Sequence, residues 1–358
     1  MFKDIKGQAQ AIKILQKEIA TSSISGAYLF AGPAGVGKTL TALTFAKALN
    51  CKKEKMDSCD ECSSCRKIEH YNHPDVRIIA PENGSIKIEQ IRDLKREIFY
   101  KLYEGRKKVW IIEETDKFGL AAANSILKIL EEPPPQTVLI LISQTKEGLL
   151  PTILSRCEVI RFFPLSLQEI EKIIAQQLPQ GSDKIHILAK LARGRVEEAL
   201  HLIKEENTLK IREELLNALQ KNMNLEEIFE LAAQWTNYKD KELQRIFDMI
   251  LFWFRDILIL RQGGEKWLIN HDKMEELARE KDKYSVKEIK KIMQAIEKTR
   301  YYLKSNVNQK LVLEALWLKV KENNLPPHPS LSPVGRGLRR GEKGNSYTIN
   351  LRKSNLTG

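Results

Sequence analysis

The chain has 358 residues, which is too long for one average hydrophobic core and predicts two or three domains. Its 42% hydrophobic and 30% charged residues are typical of a water-soluble globular protein, and its first residues lack the apolar segment that export requires. The longest apolar run, Met249 to Phe254, is too short to cross a bilayer. We therefore expect a cytoplasmic protein without a membrane span.

The net charge of +12 is spread unevenly along the chain. Residues 325–358 contain six Arg or Lys and one Glu, which leaves +7 for the rest of the chain. This moderate excess favours an anionic partner, and it fits a solvated basic surface equally well. Charge therefore excludes neither interpretation.

The predicted elements alternate between helices and short strands. Apolar residues at positions 8–20 recur at helical spacing, residues 27–30 give a buried-strand signal, and residues 40–49 are rich in helix-forming alanine and leucine. Further β-branched runs, separated by helical stretches, lie at Val76–Ile79, Val109–Ile112 and Val138–Ile142. This alternation predicts an α/β fold, a parallel sheet with helices on both faces.

A phosphate-binding motif stands where the first predicted strand turns into a helix. The pattern G-x-x-x-x-G-K-[ST] is matched in full by Gly32, Pro33, Ala34, Gly35, Val36, Gly37, Lys38 and Thr39. Glycines let backbone N–H groups wrap the phosphates, and the following helix presents its positive end. Lys38 would reach the β and γ phosphates, and the Thr39 hydroxyl would bind Mg²⁺. The pattern predicts a triphosphate site; a chance glycine turn is the alternative.

An acidic pair, Glu113 and Glu114, follows the strand at residues 108–112. Open α/β sheets place their ligand chemistry at this end of a strand. The first acid would hold Mg²⁺ through water, and the second would orient an attacking water. Because Glu113 stands where P-loop ATPases usually carry Asp, the pair predicts nucleotide binding more firmly than hydrolysis. A solvated acidic strand end is the alternative.

Four cysteines follow the phosphate-loop helix at a spacing typical of metal ligands. They are Cys51, Cys59, Cys62 and Cys65. In a reducing cytoplasm this pattern favours a metal over disulfides, and four thiolates complete a structural zinc site. Reduced free thiols or a redox pair are the alternatives. The nearby His70 and His73 are expected to be ordinary loop residues.

The pattern divides the chain into four segments. Residues 1–163 form the α/β nucleotide-binding domain, with the cysteine knuckle at 51–65; residues 164–207 form a small helical lid; residues 208–322 form an all-α domain. Residues 323–358 are expected to be a disordered tail, because prolines and glycines replace periodic apolar residues there. Part of this tail resembles translated intergenic repeat DNA, so we interpret it as a readthrough or frameshifted end.

Three further stretches resemble the bacterial replicative clamp loader family of AAA+ proteins. They are Asp116-Lys117-Phe118, residues 124–134 (ending Glu131-Glu132-Pro133-Pro134), and residues 150–157 (ending Ser155-Arg156-Cys157). The likeness begins at Phe2, includes the knuckle and runs to Glu314, about nine-tenths of the chain. It implies an AAA+ fold with a P-loop and RecA-like sheet, a helical lid and an all-α collar that mediates oligomerisation.

The resemblance also implies residue roles and partners. Arg156 would be an arginine finger in the ATP site of a neighbouring subunit, Glu114 would orient water, and Ser143 or Gln144 would occupy the nucleotide-sensing position. The implied cofactors are ATP and Mg²⁺. The implied partners are gamma or tau and delta type subunits in a hetero-oligomeric ring, the sliding clamp and primed DNA. Polymerase chemistry would belong to the holoenzyme, and this chain would have at most weak ATP hydrolysis.

The lid separates two kinds of subunit. Motor subunits of the family carry an arginine that touches the nucleotide, and here Glu197 or Glu198 would lie at that position, where an acid repels the triphosphate. Arg193 or Arg195 could substitute if the turn is shifted. We therefore expect the non-motor stator, the delta-prime type, which lacks the further domains of the motor. A catalytic gamma or tau type ATPase is the alternative, and a zinc-dependent DNA-binding protein outside any ring is a weaker one.

Overall fold

A parallel five-stranded sheet is the centre of the computed structural model, which describes residues 1–178, 184–205, 207–303, 305 and 307–322. The strands are β1 (Ala27–Ala31), β2 (Val76–Ile79), β3 (Lys108–Ile112), β4 (Thr137–Ser143) and β5 (Glu158–Arg161). They lie in the order β2-β3-β4-β1-β5, and every neighbouring pair is parallel. The predicted α/β class and its four strands are confirmed. The sequence analysis missed β5, a short strand at the edge of the sheet with charged residues at both ends.

Helices pack on both faces of the sheet. In this part of the chain they are α1 (Ala9–Thr21), α2 (Lys38–Asn50), α3 (Ser63–Glu69), α4 (Ile88–Glu97), α5 (Leu120–Glu131) and α6 (Pro151–Leu154). Because successive strand residues point to opposite faces, Tyr28 and Phe30 enter the core that contains Phe45 of α2, whereas Leu29 enters the core that contains Ile126 of α5. The phosphate-loop helix and α5 therefore lie on opposite faces.

The rest of the described chain is helical. It contains α7 (Leu167–Ala175), α8 (Lys184–Ala192), α9 (Val196–Lys204), α10 (Thr208–Gln220), α11 (Leu225–Trp235), α12 (Asp240–Arg261), α13 (Met274–Glu280), α14 (Val286–Leu303) and α15 (Gln309–Lys321). One hydrophobic core continues from α7–α9 into α10–α15 and includes the buried Trp253 and Trp317. Among the described helices, none is long and apolar enough to span a membrane. The domain divisions at 163/164 and 207/208 stay predictions, and the tail, 323–358, lies outside the described residues.

A buried polar network fastens the helical core. Arg212 of α10 is 2% exposed, and its guanidinium donates to both carboxylate oxygens of Asp272, at 2.9 and 2.8 Å, and to Asn270 Oδ1 at 2.8 Å. Asp256 of α12 is fully buried and accepts hydrogen bonds from the backbone N–H groups of Ile269 and Asn270. These bonds hold the segment between α12 and α13 against α10 and α12.

Candidate functional site

The phosphate loop joins β1 to α2 and is anchored to the neighbouring strand, since the Gly32 N–H donates to the Ser143 carbonyl oxygen at 3.2 Å. A Cβ at Gly32 would lie 2.3 Å from the Phe162 carbonyl oxygen, which leaves no room for a side chain. Gly37 has a φ of +96°, in the left-handed region that favours glycine. Gly35, with a φ of +74°, lies in the same region, so backbone geometry explains all three glycines of the motif.

Lys38 begins α2 and is nearly buried. Its Nζ donates to the carbonyl oxygens of Gly32 at 2.5 Å and Pro33 at 2.6 Å, so the amine lies inside the loop. Burial lowers the pKa of the Lys38 ammonium to about 8, against the opposing effect of the Asp116 and Glu197 carboxylates. The loop thus holds a cation that is poorly solvated until an anion reaches it.

The predicted acidic pair lies beside this cation at the end of β3. Glu113 Oε1 accepts a hydrogen bond from Thr39 Oγ1 at 2.7 Å. The longer Glu side chain therefore still reaches the hydroxyl that would bind Mg²⁺. Glu114 has a left-handed φ of 49°, which turns the chain away from the strand, and its carboxylate pairs with Lys117.

Asp116 connects the acidic turn to the end of β4. Its Oδ1 accepts hydrogen bonds from Ser143 Oγ and from the Gln144 N–H, both at 3.1 Å. The carboxylate therefore orients the two residues predicted to sense the nucleotide. The sequence analysis gave Asp116 no role. An acid in the turn that follows the β3 pair was the signal that could have indicated one.

These groups surround a cavity of about 540 Å³ at the carboxyl edge of the sheet. From the predicted set its walls include Ala34, Gly35, Gly37, Lys38, Thr39, Glu113, Glu114, Ser143 and Gln144. Three motif residues lie outside the walls: Gly32, Pro33 and Val36. Val36 is buried in the core, and Pro33 contributes its carbonyl to Lys38. The structure therefore brings together both acids, the cation and the two residues predicted to sense the nucleotide around one cavity.

Helix α9, in the segment predicted to be a lid, closes one side of the cavity with an acid. Glu197 lines the cavity, and its N–H donates to the Gly35 carbonyl oxygen at 3.2 Å. Glu198 points elsewhere, since its Oε1 accepts from Arg245 Nε of α12 at 2.8 Å. Arg193 lies over the Phe252 ring at 5.2 Å from its centroid, away from the cavity walls. Of the two acids considered from the sequence, Glu197 is the one that faces the phosphate loop.

Arg156 lies at the opposite edge of the sheet, in the turn between α6 and β5. Its side chain is 29% exposed, and Nη2 donates to Glu131 Oε1 of α5 at 2.7 Å. Nη1 donates to the Thr152 carbonyl oxygen at 2.9 Å. The parallel pairing of Tyr28 with Glu158 places this turn at the amino end of β1, whereas the phosphate loop follows the carboxyl end. Arg156 and the cavity are therefore separated by the length of the strand.

The four predicted cysteines form one buried cluster. The Sγ atoms of Cys51, Cys59, Cys62 and Cys65 all lie within 4.8 Å of one another. A tetrahedral zinc ion with about 2.3 Å bonds needs sulfurs about 3.8 Å apart, so this donor set fits structural zinc. Backbone N–H groups also point at the sulfurs, as for Glu54 to Cys51 Sγ at 3.2 Å and Cys62 to Cys59 Sγ at 3.3 Å.

His73 lies near this cluster but has other partners. Its Nε2 is 3.2 Å from Ser64 Oγ, and its Nδ1 accepts from the Asp75 N–H at 3.1 Å. On the other side, Lys47 of α2 pairs with Asp60 at 3.0 Å and with Glu69. The knuckle is thereby fastened to the helix that begins at Lys38.

Comparison with known proteins identifies the family. The family described as "DNA polymerase III, delta subunit" matches residues 7–166, and "DNA polymerase III, delta subunit, C terminal" matches residues 206–322. DNA polymerase III subunit delta' of Bacillus subtilis is 32% identical over 319 residues, which cover 88% of this chain and 96% of that relative. The chain belongs to the bacterial clamp loader family of DNA polymerase III. The resemblance inferred from the sequence is confirmed.

Two further proteins related to DNA polymerase III subunits are similar to this chain. DNA polymerase III subunit tau of Bacillus subtilis is 32% identical over 310 residues, which cover 78% of this chain and 54% of that relative. The solved structure of a gamma subunit-related protein from Thermotoga maritima has 21% identity and a TM-score of 0.47, and it covers 88% of this chain and 99% of that protein. Of the two Bacillus subtilis relatives, delta' is matched over 96% of its length and tau over 54%.

Proposed function

We propose that this chain is the delta-prime type stator of the clamp loader. It binds ATP with Mg²⁺ in the cavity at the carboxyl edge and supplies Arg156 to the ATP site of a neighbouring gamma or tau type subunit. In a hetero-oligomeric ring with these subunits and a delta type subunit, it would help to load the sliding clamp on primed DNA. The alternative is a catalytic gamma or tau type ATPase.

The observation that carries this proposal is the position of Arg156 relative to the chain's own cavity. Four paired residues of β5, from Glu158 to Arg161, separate Arg156 from the level of the phosphate loop. At about 3.3 Å per residue this is about 13 Å, which is beyond the reach of the side chain. A guanidinium at the amino edge can serve a phosphate only in another molecule, and this supports delivery in trans.

The lid supports a stator rather than a motor. Glu197 faces the same phosphate loop as Lys38, at a position where an arginine in the motor would attract the triphosphate. Bound Mg²⁺ would offset part of this repulsion by neutralising phosphate charge. We therefore expect the isolated chain to bind ATP with Mg²⁺ but to turn it over slowly. Substantial steady-state turnover by the isolated chain would favour the catalytic alternative.

Nucleotide binding should be linked to protonation of Lys38. Burial lowers the pKa of the free Lys38 amine to about 8. Phosphate oxygens favour the charged form of the amine, so nucleotide binding should raise this pKa. Above a pH of about 8 the complex should therefore take up a proton as it forms. Affinity for ATP with Mg²⁺ should then fall as the pH rises. Calorimetric titration at pH about 8.5, in two buffers of different ionisation enthalpy, measures the proton uptake.

Two matched variants show whether Lys38 is the source of this proton. Lys38→Met should lose the uptake and weaken binding strongly, because the only cation inside the described loop is removed. Lys13→Met changes an exposed lysine of α1 and should bind like the unmodified chain. Equal heats in both buffers for the unmodified chain would contradict the linkage.

The knuckle should hold zinc as a structural ion. Chain purified under reducing conditions should contain about one equivalent of zinc, and Cys62→Ser should lose most of it, because three thiolates leave the tetrahedral shell open. Cys157→Ala is the control, since the fifth cysteine packs in the separate core next to α5. Metal analysis of the three proteins decides the matter. A zinc content far below one equivalent in the unmodified chain would exclude a structural site.

A further inference from the structure

The guanidinium of Arg156 is held by three groups of its own protomer. Nη2 donates to Glu131 Oε1 at 2.7 Å, and Nη1 donates to the Thr152 carbonyl oxygen at 2.9 Å and to Ser155 Oγ at 3.4 Å. Nε has no hydrogen-bond partner among the described residues, although it is buried. The buried Nε cannot reach an oxyanion, but Nη2 carries a second N–H, which remains for one while the contact with Glu131 persists.

Stability gives no reason for an acid at the position of Glu131. It is the last residue of α5, where the negative end of the helix dipole disfavours a carboxylate. Its side chain is 57% exposed, and ion pairs at such surfaces contribute about 0–1 kcal/mol. The pair therefore adds little to folding. What it does fix is the direction of a long side chain that otherwise has many rotamers.

We propose that Glu131 is a positioning residue for the arginine finger. This inference rests on the proposed role of Arg156 in trans. The carboxylate holds the guanidinium from the side of α5, so that the second N–H of Nη2 meets the γ-phosphoryl group of the neighbouring subunit in a fixed orientation. Because the rotamer is selected before the subunits meet, the neighbouring site does not have to order the side chain during turnover.

The test uses the complete ring, assembled from this chain and its partner subunits. ATP turnover is measured with clamp and primed DNA, and kcat and KM are determined separately. Glu131→Ala should lower kcat, and the decrease should be about half or more of the decrease seen in Arg156→Ala. KM for ATP should be unchanged, since the neighbour's own pocket is intact. Glu131→Gln keeps an acceptor for Nη2 and should restore part of the rate.

Glu132→Ala is the matched control, because Glu132 is the next residue, is exposed and makes no side-chain hydrogen bond or ion pair with the part of the chain that the structure describes. It should behave like the unmodified chain. The double variant Glu131→Ala with Arg156→Ala should be no slower than Arg156→Ala alone, because a positioning residue has no effect once its target is removed. Melting temperatures of all variants show that the fold is retained.

Three results would overturn the positioning role while Arg156 keeps its own. In the first, Glu131→Ala has the same turnover as Glu132→Ala. In the second, Glu131→Ala raises turnover, which would make the carboxylate a restraint on Arg156. In the third, Glu131→Ala slows the Arg156→Ala ring further, which would mean that the carboxylate acts elsewhere. Normal turnover in Arg156→Ala itself would instead overturn the proposed function, and the inference with it. The two failures are therefore distinguishable.

Discussion

Replacing Arg156 with alanine should remove most of the ATP turnover at the neighbouring site of the assembled ring. An arginine finger contributes about a thousandfold or more to phosphoryl transfer, because its guanidinium neutralises charge that develops on the transferring group. We expect kcat at that site to fall by this order, so that the ring retains only what its other sites supply. Turnover with primed DNA and clamp is the measurement.

Arg66→Ala is the control for this variant. Arg66 is exposed and, like Arg156, donates to a backbone carbonyl, that of Glu61 at 2.6 Å, but it lies in α3 next to the knuckle. The Arg156→Ala chain should fold and join the ring, because the lost surface contacts contribute little to stability. Equal turnover in rings containing either variant would remove the finger assignment.

Replacing Arg212 with alanine should destabilise the helical core by about 3–5 kcal/mol, the range for breaking a buried pair on one side. Arg212 is 2% exposed, and its loss leaves Asn270 and Asp272 without their common donor. Part of the cost is the cavity left by the side chain. Urea unfolding followed by tryptophan fluorescence measures the change in the free energy of unfolding.

Lys210→Ala is the matched control, since Lys210 is two residues earlier in α10 and its side chain is 75% exposed. Its free energy of unfolding should change by no more than about 0.5 kcal/mol. If Arg212→Ala lowers the free energy of unfolding by less than about 1 kcal/mol, water takes the place of the guanidinium as the hydrogen-bond donor in this network. The contrast between the two variants separates buried from exposed charge on one helix.

The parts of the fold that local sequence determines were predictable. The phosphate loop and the strands at Val76–Ile79 and Val109–Ile112 follow from glycine placement and β-branched runs, and the structure reproduces these strands. The helix α3 was missed, because the metal-ligand spacing of the knuckle hides its short helical pattern. Strand β5 was missed because its pairing with β1, rather than its own composition, makes it a strand.

The candidate site was predictable only as far as its motifs reach. Sequence spacing left Glu197 and Glu198 equivalent; the contact of Glu198 with Arg245, forty-seven residues away, decides which acid faces the cavity. The links from Asp116 to the end of β4, and from Glu131 to Arg156, also join residues that are distant in sequence. Such contacts depend on how helices and strands pack, and no local pattern encodes them.

The most direct measurement compares two rings that differ in which site of this chain is disabled. One contains Lys38→Met, which removes the cation of the chain's own cavity, and the other contains Arg156→Ala. We predict that the Lys38→Met ring keeps most of the ATP turnover seen with clamp and primed DNA. The Arg156→Ala ring should lose the part of the turnover that the neighbouring subunit's ATP site supplies. If Lys38→Met costs the ring as much turnover as Arg156→Ala or more, the chain is a motor and not a stator.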